Sequence, residues 1–269
     1  MDEVSPIPPD AATAWGVLGR HGMRLYGRST FTGWASDHAF ALLTGEPNLD
    51  SNICSLHGAA TADDARTLLE VIDRVGVPAV IPVSASVADS ATEPLREAGF
   101  TPLEREVAMW RPAEPIPARP HPFAVRAVHS AADVAAASRV VTAAHGTAPG
   151  LVERSFNIEA LRDGDVRSYI AWDGDEAAAT GWVVTGEGWA SVHEMMTAPA
   201  HRRRGAGRAV LEQSMADVAA VAPAGTLLWA SPLGRPLYAS VGFVVFDEIT
   251  PWVRGGTAAE LAAIGASLV

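Results

Sequence analysis

At 269 residues the chain is long for one domain and comfortable for two, and 48% hydrophobic with 19% charged residues is an ordinary globular composition. No apolar run reaches the ~18 residues of a membrane span, and the acidic, proline-containing start MDEVSPIPPD is unlike a signal peptide, so a cytoplasmic protein is expected. A net charge of −11 argues against nucleic acid as a partner, the single Cys54 excludes an internal disulfide and a thiolate metal cluster, and the absence of lysine among the 20 basic residues excludes Schiff-base chemistry and lysine phosphate loops.

In chain order, SNICSLHG (51–58) reads as a strand. TADDARTLLEVIDRVG (61–76) predicts a helix capped by Thr61, with Leu68, Val71, Ile72 and Val75 on one face. PAVIPVS (78–84) predicts a strand, EPLREAGF (93–100) a short helix, and the residues up to Trp110 a further strand. RPAEPIPARPHP (111–122) holds five prolines in twelve residues and predicts an extended, semi-rigid linker. The expected units are therefore 1–110, a linker 111–122, and 123–269.

Beyond the linker, FAVRAV (123–128) is a strand and SAADVAAASRVVTAAHG (130–146) a helix, from Ser130 as N-cap to Gly146 as stop. RSYIAW and AAATGWVV flank DGDE as a hairpin, and GWASVHEMMT (188–197) is another strand. GAGRAVLEQSMADVAAV (205–221) carries Ala209, Val210, Met215, Val218 and Ala219 at helical spacing. TLLWAS (226–231) is a strand, GRPLYASVGF (234–243) a short helix, and VVFDEI and WVRG finish the sheet. The class is α/β with mostly antiparallel strands. LREAGFTPLEREVAMW and YASVGFVVFDEITPW share a short helix, Gly-Phe, an acidic strand and a terminal tryptophan, which points to an internal duplication.

Several motifs fail on inspection. HEMMT (193–197) lacks the second histidine of a zinc protease and sits in a strand pattern. YASVG (238–242) lacks the first glycine of a nucleophile elbow. RDGD and WDGDE read as turns with no calcium-loop pattern, although an acidic rim could favour a cationic amine. No metal site is expected. HRRRGAGRAV (201–210) is more informative: glycines admit close approach, a helix start presents free N–H groups, and four arginines add a local positive patch. A dinucleotide loop should follow directly on a strand, whereas here Pro199 to Arg204 intervene.

These residues resemble the Gcn5-related N-acetyltransferase (GNAT) superfamily. The resemblance lies in Arg202-Arg203-Arg204-Gly205-Ala206-Gly207 after a strand and a proline turn, and in Tyr238-Ala239-Ser240-Val241-Gly242-Phe243 about thirty residues later. It covers roughly 123–254. The fold it implies is two tandem domains, each a mostly antiparallel mixed sheet flanked by helices. The first would be a degenerate copy, because the Arg-x-x-Gly-x-Gly turn is missing and Leu95 replaces the tyrosine.

The family's chemistry is attack of an amine on the thioester of acetyl-CoA or another acyl-CoA, which serves as co-substrate. By resemblance, the loop N–H groups from Arg203 to Arg208 hold the pyrophosphate, beside Arg202. Met195, Met196 and Thr197 pair with the pantetheine arm, and the Met195 N–H polarises the carbonyl. Ser231 takes the place of a cofactor-side asparagine. Tyr238 is the acid for the leaving thiolate. His193 is favoured over Glu194 as base, with Ser191 on the same strand face by alternation. The expected acceptor is a small-molecule amine, with no nucleic acid and no membrane; a homodimer stays open. A peptide or protein amine, and a non-catalytic acyl-CoA-binding module, remain the alternatives. The first half is expected to pack on the second and wall the acceptor cleft, with Trp15, Phe31 and Trp34 as candidate lining.

Overall fold

The computed structural model describes residues 7–26, 32–49, 51–114, 116, 117, 119–145, 158–257 and 261. Local signals act where the sequence places them. The Thr61 side chain accepts from the Asp64 N–H while Asp64 reaches back to the Thr61 N–H, starting α2 (Ala62–Val75), and Gly76 closes it in the left-handed region. Ser130 and Asp133 make the same reciprocal pair ahead of α4 (Ala131–His145). The expected stop at Gly146 and the aromatic Phe31 lie outside the described residues.

The first half runs α1 (Ala11–Tyr26), β1 (Thr32–Ala35), β2 (Ala39–Leu43), β3 (Asn52–Leu56), α2, β4 (Ala79–Ser84), α3 (Ala88–Glu97), β5 (Thr101–Pro102) and β6 (Glu106–Arg111). The second runs β7 (Ala124–Ala127), α4, β8 (Val166–Asp173), β9 (Glu176–Gly186), β10 (Trp189–Thr197), α5 (Ala206–Val218), β11 (Gly225–Ala230), α6 (Arg235–Ala239) and β12 (Val244–Arg254). The two C-terminal pieces expected as separate strands are one strand. It runs through Pro251, which lies opposite Pro82. Neither proline has an N–H to donate, so this is a pair that needs no hydrogen bond.

All these strands join one sheet in the order β1-β2-β3-β4-β12-β6-β11-β10-β9-β8-β7, with β5 on β12. Only β3–β4 and β10–β11 are parallel; the other pairs are antiparallel. The two Gly-Phe strands that resemble each other in sequence exchange places. β12 pairs with β4 of the first half, and β6 pairs with β11 of the second. They also pair with each other, so the halves meet along a hydrogen-bonded seam.

α1, for which the sequence reading had no element, packs on both halves. Trp15, Leu18, Leu25 and Tyr26 share one core with Phe40 and Leu42 of β2, Trp182 and Val184 of β9, and Leu227 of β11. Its glycines make that approach possible: a Cβ on Gly19 would stand 2.6 Å from the Phe40 ring, and one on Gly22 2.5 Å from Leu42. α1 and α4 cover one face of the sheet, while α2, α3, α5 and α6 cover the other. Trp15 is buried and Trp34 packs into the first half's own core under α2 and α3.

Candidate active site

The site begins where a parallel pair comes apart. β10 and β11 are in register only from Trp189–Gly225 to Ser191–Leu227. Beyond that, Val192–Thr197 and Leu228–Ala230 are not paired to each other, although each strand keeps its outer neighbour. The result is a slot inside a continuous sheet, with backbone groups facing across it. The corresponding first-half pair, β3–β4, stays in register from Ile53–Val80 to Leu56–Val83.

A bulge shapes one wall. The β9–β10 register shifts between His193 and Met196, and Glu194 sits at φ 49°. The Met195 side chain turns toward α5, filling the space a Cβ on Gly181 would take. Met196 instead packs into the core under α1. A backbone so forced is costly for a non-glycine residue, and such strain concentrates at functional positions.

The other element is the turn into α5. Arg203 (φ 63°) and Gly205 (φ 93°) are both left-handed. The first N–H of this turn with a helical partner is that of Ala209, bonded to the Gly205 carbonyl at 3.0 Å. The preceding N–H groups are left pointing out of the helix start, where the dipole favours an anion. Gly207 lets this start sit against β10: a Cβ there would meet Thr197 Oγ1 at 3.0 Å.

The four arginines divide into two pairs. Arg204 is held by Asp173 at 2.7 Å and by His201 at 2.9 Å, and lies over the Phe123 ring. Arg208 is held by Glu212 at 2.6 Å and donates to Ser240 at 3.0 Å. These two brace the turn. Arg202 and Arg203 are exposed, and Arg202 donates to the Thr197 carbonyl at 3.5 Å. Of the β8–β9 hairpin acids, which the sequence offered as a rim for a cationic amine, Asp173 pairs with Arg204 at the turn at 2.7 Å and Glu176 lies 3.2 Å from His201 Nε2. Residues 119–122 of the proline-rich segment lie over the start of α5, with the Arg119 N–H on Glu212.

Across the slot stands Tyr238 on α6. Its ring meets Phe243 edge-on at 5.8 Å and is nearly buried. Burial, reinforced by the nearby Glu194 carboxylate, pushes its phenol well above the ordinary range, so the proton stays on. The Ser231 hydroxyl accepts from the Gly234 N–H at 3.3 Å and so fixes the turn into α6. Arg111, at the end of β6, holds the following Gly-Phe turn through the Val241 carbonyl at 2.7 Å.

On the α1 face of the slot, His193 Nε2 lies 2.7 Å from Ser191 Oγ, so the expected shared face is observed. Ser191 Oγ lies 2.7 Å from His21 Nδ1 of α1. Tyr26, also on α1, donates to Glu194 at 3.2 Å. The first half therefore reaches both candidate bases. His21 and Tyr26 were not picked out from the sequence. The apolar spacing of Ala14, Trp15, Leu18 and Leu25 was the available signal, diluted by three glycines of low helix propensity.

Buried histidines make the protein acid-sensitive. Burial pushes His21 and His57 down to about 4, and the desolvating surroundings of the half-buried His193 push it down to about 3. Their unfolded values are about 6.5, so on acidification the unfolded chain takes the proton first. Stability is complete above about pH 6.5 and falls as pH drops toward the folded values, by on the order of 1–2 kcal/mol per histidine at pH 5. Glu106 acts in the opposite sense: burial raises it to about 7 although Trp229 donates to it, so its contribution is present at low pH and lost as pH rises through 7. With three groups against one, the melting temperature is expected to fall between about pH 7.5 and 5. A flat profile would contradict neutral burial of these rings.

Comparison with known proteins matches residues 164–245 to the family model described as "Acetyltransferase (GNAT) domain". That span includes the bulge, the turn, α5, β11 and Tyr238. A GCN5-related N-acetyltransferase from Kribbella flavida is similar in structure, with a TM-score of 0.62 at 17% identity, over 90% of this chain and 95% of that one. One from Sphaerobacter thermophilus has a TM-score of 0.58 at 18% identity, over 82% and 79%. A tandem GNAT protein from the clavulanic acid biosynthesis pathway has a TM-score of 0.51 at 12% identity, over 80% and 78%. At such identities the likeness is one of fold. No curated protein matches the chain. Among the described residues, no helix is long and apolar enough to cross a membrane, and no group of three or more His, Cys, Asp or Glu side chains could hold a metal ion.

Proposed function

We propose, from the match of residues 164–245 to a GNAT acetyltransferase domain model, that the chain transfers an acyl group from acetyl-CoA or another acyl-CoA to the amine of a small molecule. The observation that carries this reading is the slot between β10 and β11, with free N–H groups of the α5 turn at its end. An extended thioester arm needs backbone partners along its length and an anion seat for its pyrophosphate, and the slot offers both.

In this reading, the N–H groups of Arg203 to Arg208 and the exposed Arg202 and Arg203 side chains hold the pyrophosphate. Met195, Met196 and Thr197 supply the strand edge for the pantetheine arm, and the Met195 N–H polarises the thioester carbonyl. His193 accepts the proton of the attacking amine as the C–N bond forms and the C–S bond breaks. Its half-buried surroundings keep this imidazole neutral at rest, with a lone pair free, and also lower its basicity. Tyr238 gives its proton to the departing thiolate. Glu194, next in the bulge and bonded to Tyr26, is the other group able to take the amine proton. What supports a small acceptor is α1, which lies across the His193 face and limits that side of the slot.

The test is a panel of small amines with acetyl-CoA, monitored by thiol release. Release with at least one amine is the expected result. Thermal stabilisation by acetyl-CoA without release across a broad panel would favour a non-catalytic acyl-CoA-binding module. Neither stabilisation nor release would sink the reading.

A further inference from the structure

We propose that His21, on α1 of the first half, is a positioning residue for His193, acting through Ser191 to fix the His193 tautomer and leave its Nδ1 bare toward the acceptor. The proposal rests on the reading of the slot as an acyl-transfer site in which His193 is the base.

The geometry is a three-member chain. His21 Nδ1 and His193 Nε2 each lie 2.7 Å from Ser191 Oγ. His21 is 1% exposed and Ser191 fully buried, so water does not supply substitutes for these bonds. Ser191 has one hydroxyl proton and can donate only once. Its Oγ has no other partner among the described residues, so satisfying that proton leaves two polarities: Ser191 donates to His21 and accepts from His193, or the reverse.

The environment of His21 selects between them. Both rings are neutral at ordinary pH because burial opposes their charge, so each carries one N–H. His21 Nε2 is buried and makes no ordinary hydrogen bond to a side chain or backbone among the described residues, but it sits against Gly186, whose carbonyl favours a proton on the ring. Of the two tautomers, Nε2–H is the one this backbone neighbour favours. With His21 as the Nε2–H tautomer, its Nδ1 accepts from Ser191. Ser191 then accepts from the Nε2–H of His193. The remaining nitrogen of His193, Nδ1, carries the lone pair. That nitrogen takes the amine proton, and no rotation of the ring is needed first.

The charged groups facing His21 are Arg20 and Arg24 on its own helix and Glu187 from the β9–β10 turn. Arg20 is paired with Glu187 at 2.8 Å, and Arg24 with Asp165 at 2.6 Å and the Thr185 carbonyl at 2.8 Å. They clamp α1 to the β8–β9–β10 strands at the level of His21, which holds the histidine in reach of Ser191. The clamp is exposed and contributes little stability by itself; its geometric role is to set where the helix lies.

The experiment reads the tautomer directly, in the full-length protein labelled with 15N-histidine, by long-range 1H–15N correlation of the imidazole nitrogens. In the wild type, His193 should show an unprotonated Nδ1 and a protonated Nε2. His21→Ala and Ser191→Ala should each shift His193 toward a mixture of tautomers. His21→Asn, whose Oδ1 can accept from Ser191, should restore the wild-type pattern. In turnover with an accepted amine, His21→Ala should lower kcat about tenfold or more, leave KM for acetyl-CoA nearly unchanged, and be rescued by His21→Asn. The double variant His21→Ala/Ser191→Ala should be no worse than the worse single variant.

An unchanged His193 tautomer in both His21→Ala and Ser191→Ala would overturn the proposal, as would a His21→Asn protein as impaired as His21→Ala. The underlying reading fails separately. Survival of kcat in His193→Gln, with the tautomer shift still present in His21→Ala, would remove His193 as the base. Loss of kcat in His193→Gln without that shift would remove the positioning role of His21 alone.

Discussion

Replacing Gly207 with valine is expected to weaken acetyl-CoA binding by roughly 100-fold, about 3 kcal/mol, while the protein stays folded. A Cβ at this position would stand 3.0 Å from Thr197 Oγ1 and 3.7 Å from Leu237 Cδ2, and valine adds two methyl groups beyond it. The start of α5 must then move away from β10. The outward N–H groups lose their alignment, and the strand edge that would receive the pantetheine arm is separated from the anion seat. Gly205 fails by a different route. Nothing stands within 4 Å of a Cβ there, yet φ is 93°, so a larger residue strains the backbone by about 1–2 kcal/mol instead of clashing. The Gly205→Val/Gly207→Val double variant should show no measurable binding by calorimetry. Tight binding by that protein, with a wild-type circular dichroism spectrum, would refute the assignment of the turn.

Tyr238→Phe is expected to lower kcat by about 10²-fold or more and leave acetyl-CoA affinity nearly unchanged. The ring packs edge-on against Phe243 and beside Gly234, where a Cβ would come within 3.0 Å, and phenylalanine keeps those contacts. Only the hydroxyl is lost. Burial and the Glu194 carboxylate keep that hydroxyl protonated, which is the state an acid needs at the moment the thiolate leaves. The effect should appear in kcat and kcat/KM alike, because the interaction is made only as the C–S bond breaks. Equal turnover by the variant would mean that the thiolate takes its proton from water or from another group.

The second half was largely legible in the sequence because its signals are local. The turn into α5 needs glycine for its dihedral angles and for the approach to Thr197, and the Gly-Phe turn follows Tyr238 at a fixed spacing, so residue identity alone marks both. The alternation of Ser191 and His193 on one strand face was equally readable. What escaped depends on partners far away in the chain. α1 is glycine-rich because it lies close to Phe40 and Leu42, and the same glycines hide its helical character. Asp173 and Glu176 looked like a free acidic rim, but Asp173 pairs with Arg204 and Glu176 lies beside His201, and the turn into α5 supplies both of those residues. The order β4-β12-β6-β11 could not be read at all. β6 is buried along its whole length, and β4 is too. Buried strands of this kind state that they need two neighbours without stating which.

That strand order has a consequence for the protein as it is made. On the ribosome, β4 and β6 emerge long before β11 and β12, the strands they will pair with. The first half must wait with two apolar strand edges unpaired, and such edges are templates for aggregation. Its sheet closes only when β12, the last strand of the sheet to be translated, arrives between β4 and β6. A premature stop within β12 would therefore leave both halves incomplete, although every residue proposed for chemistry would already have been synthesised.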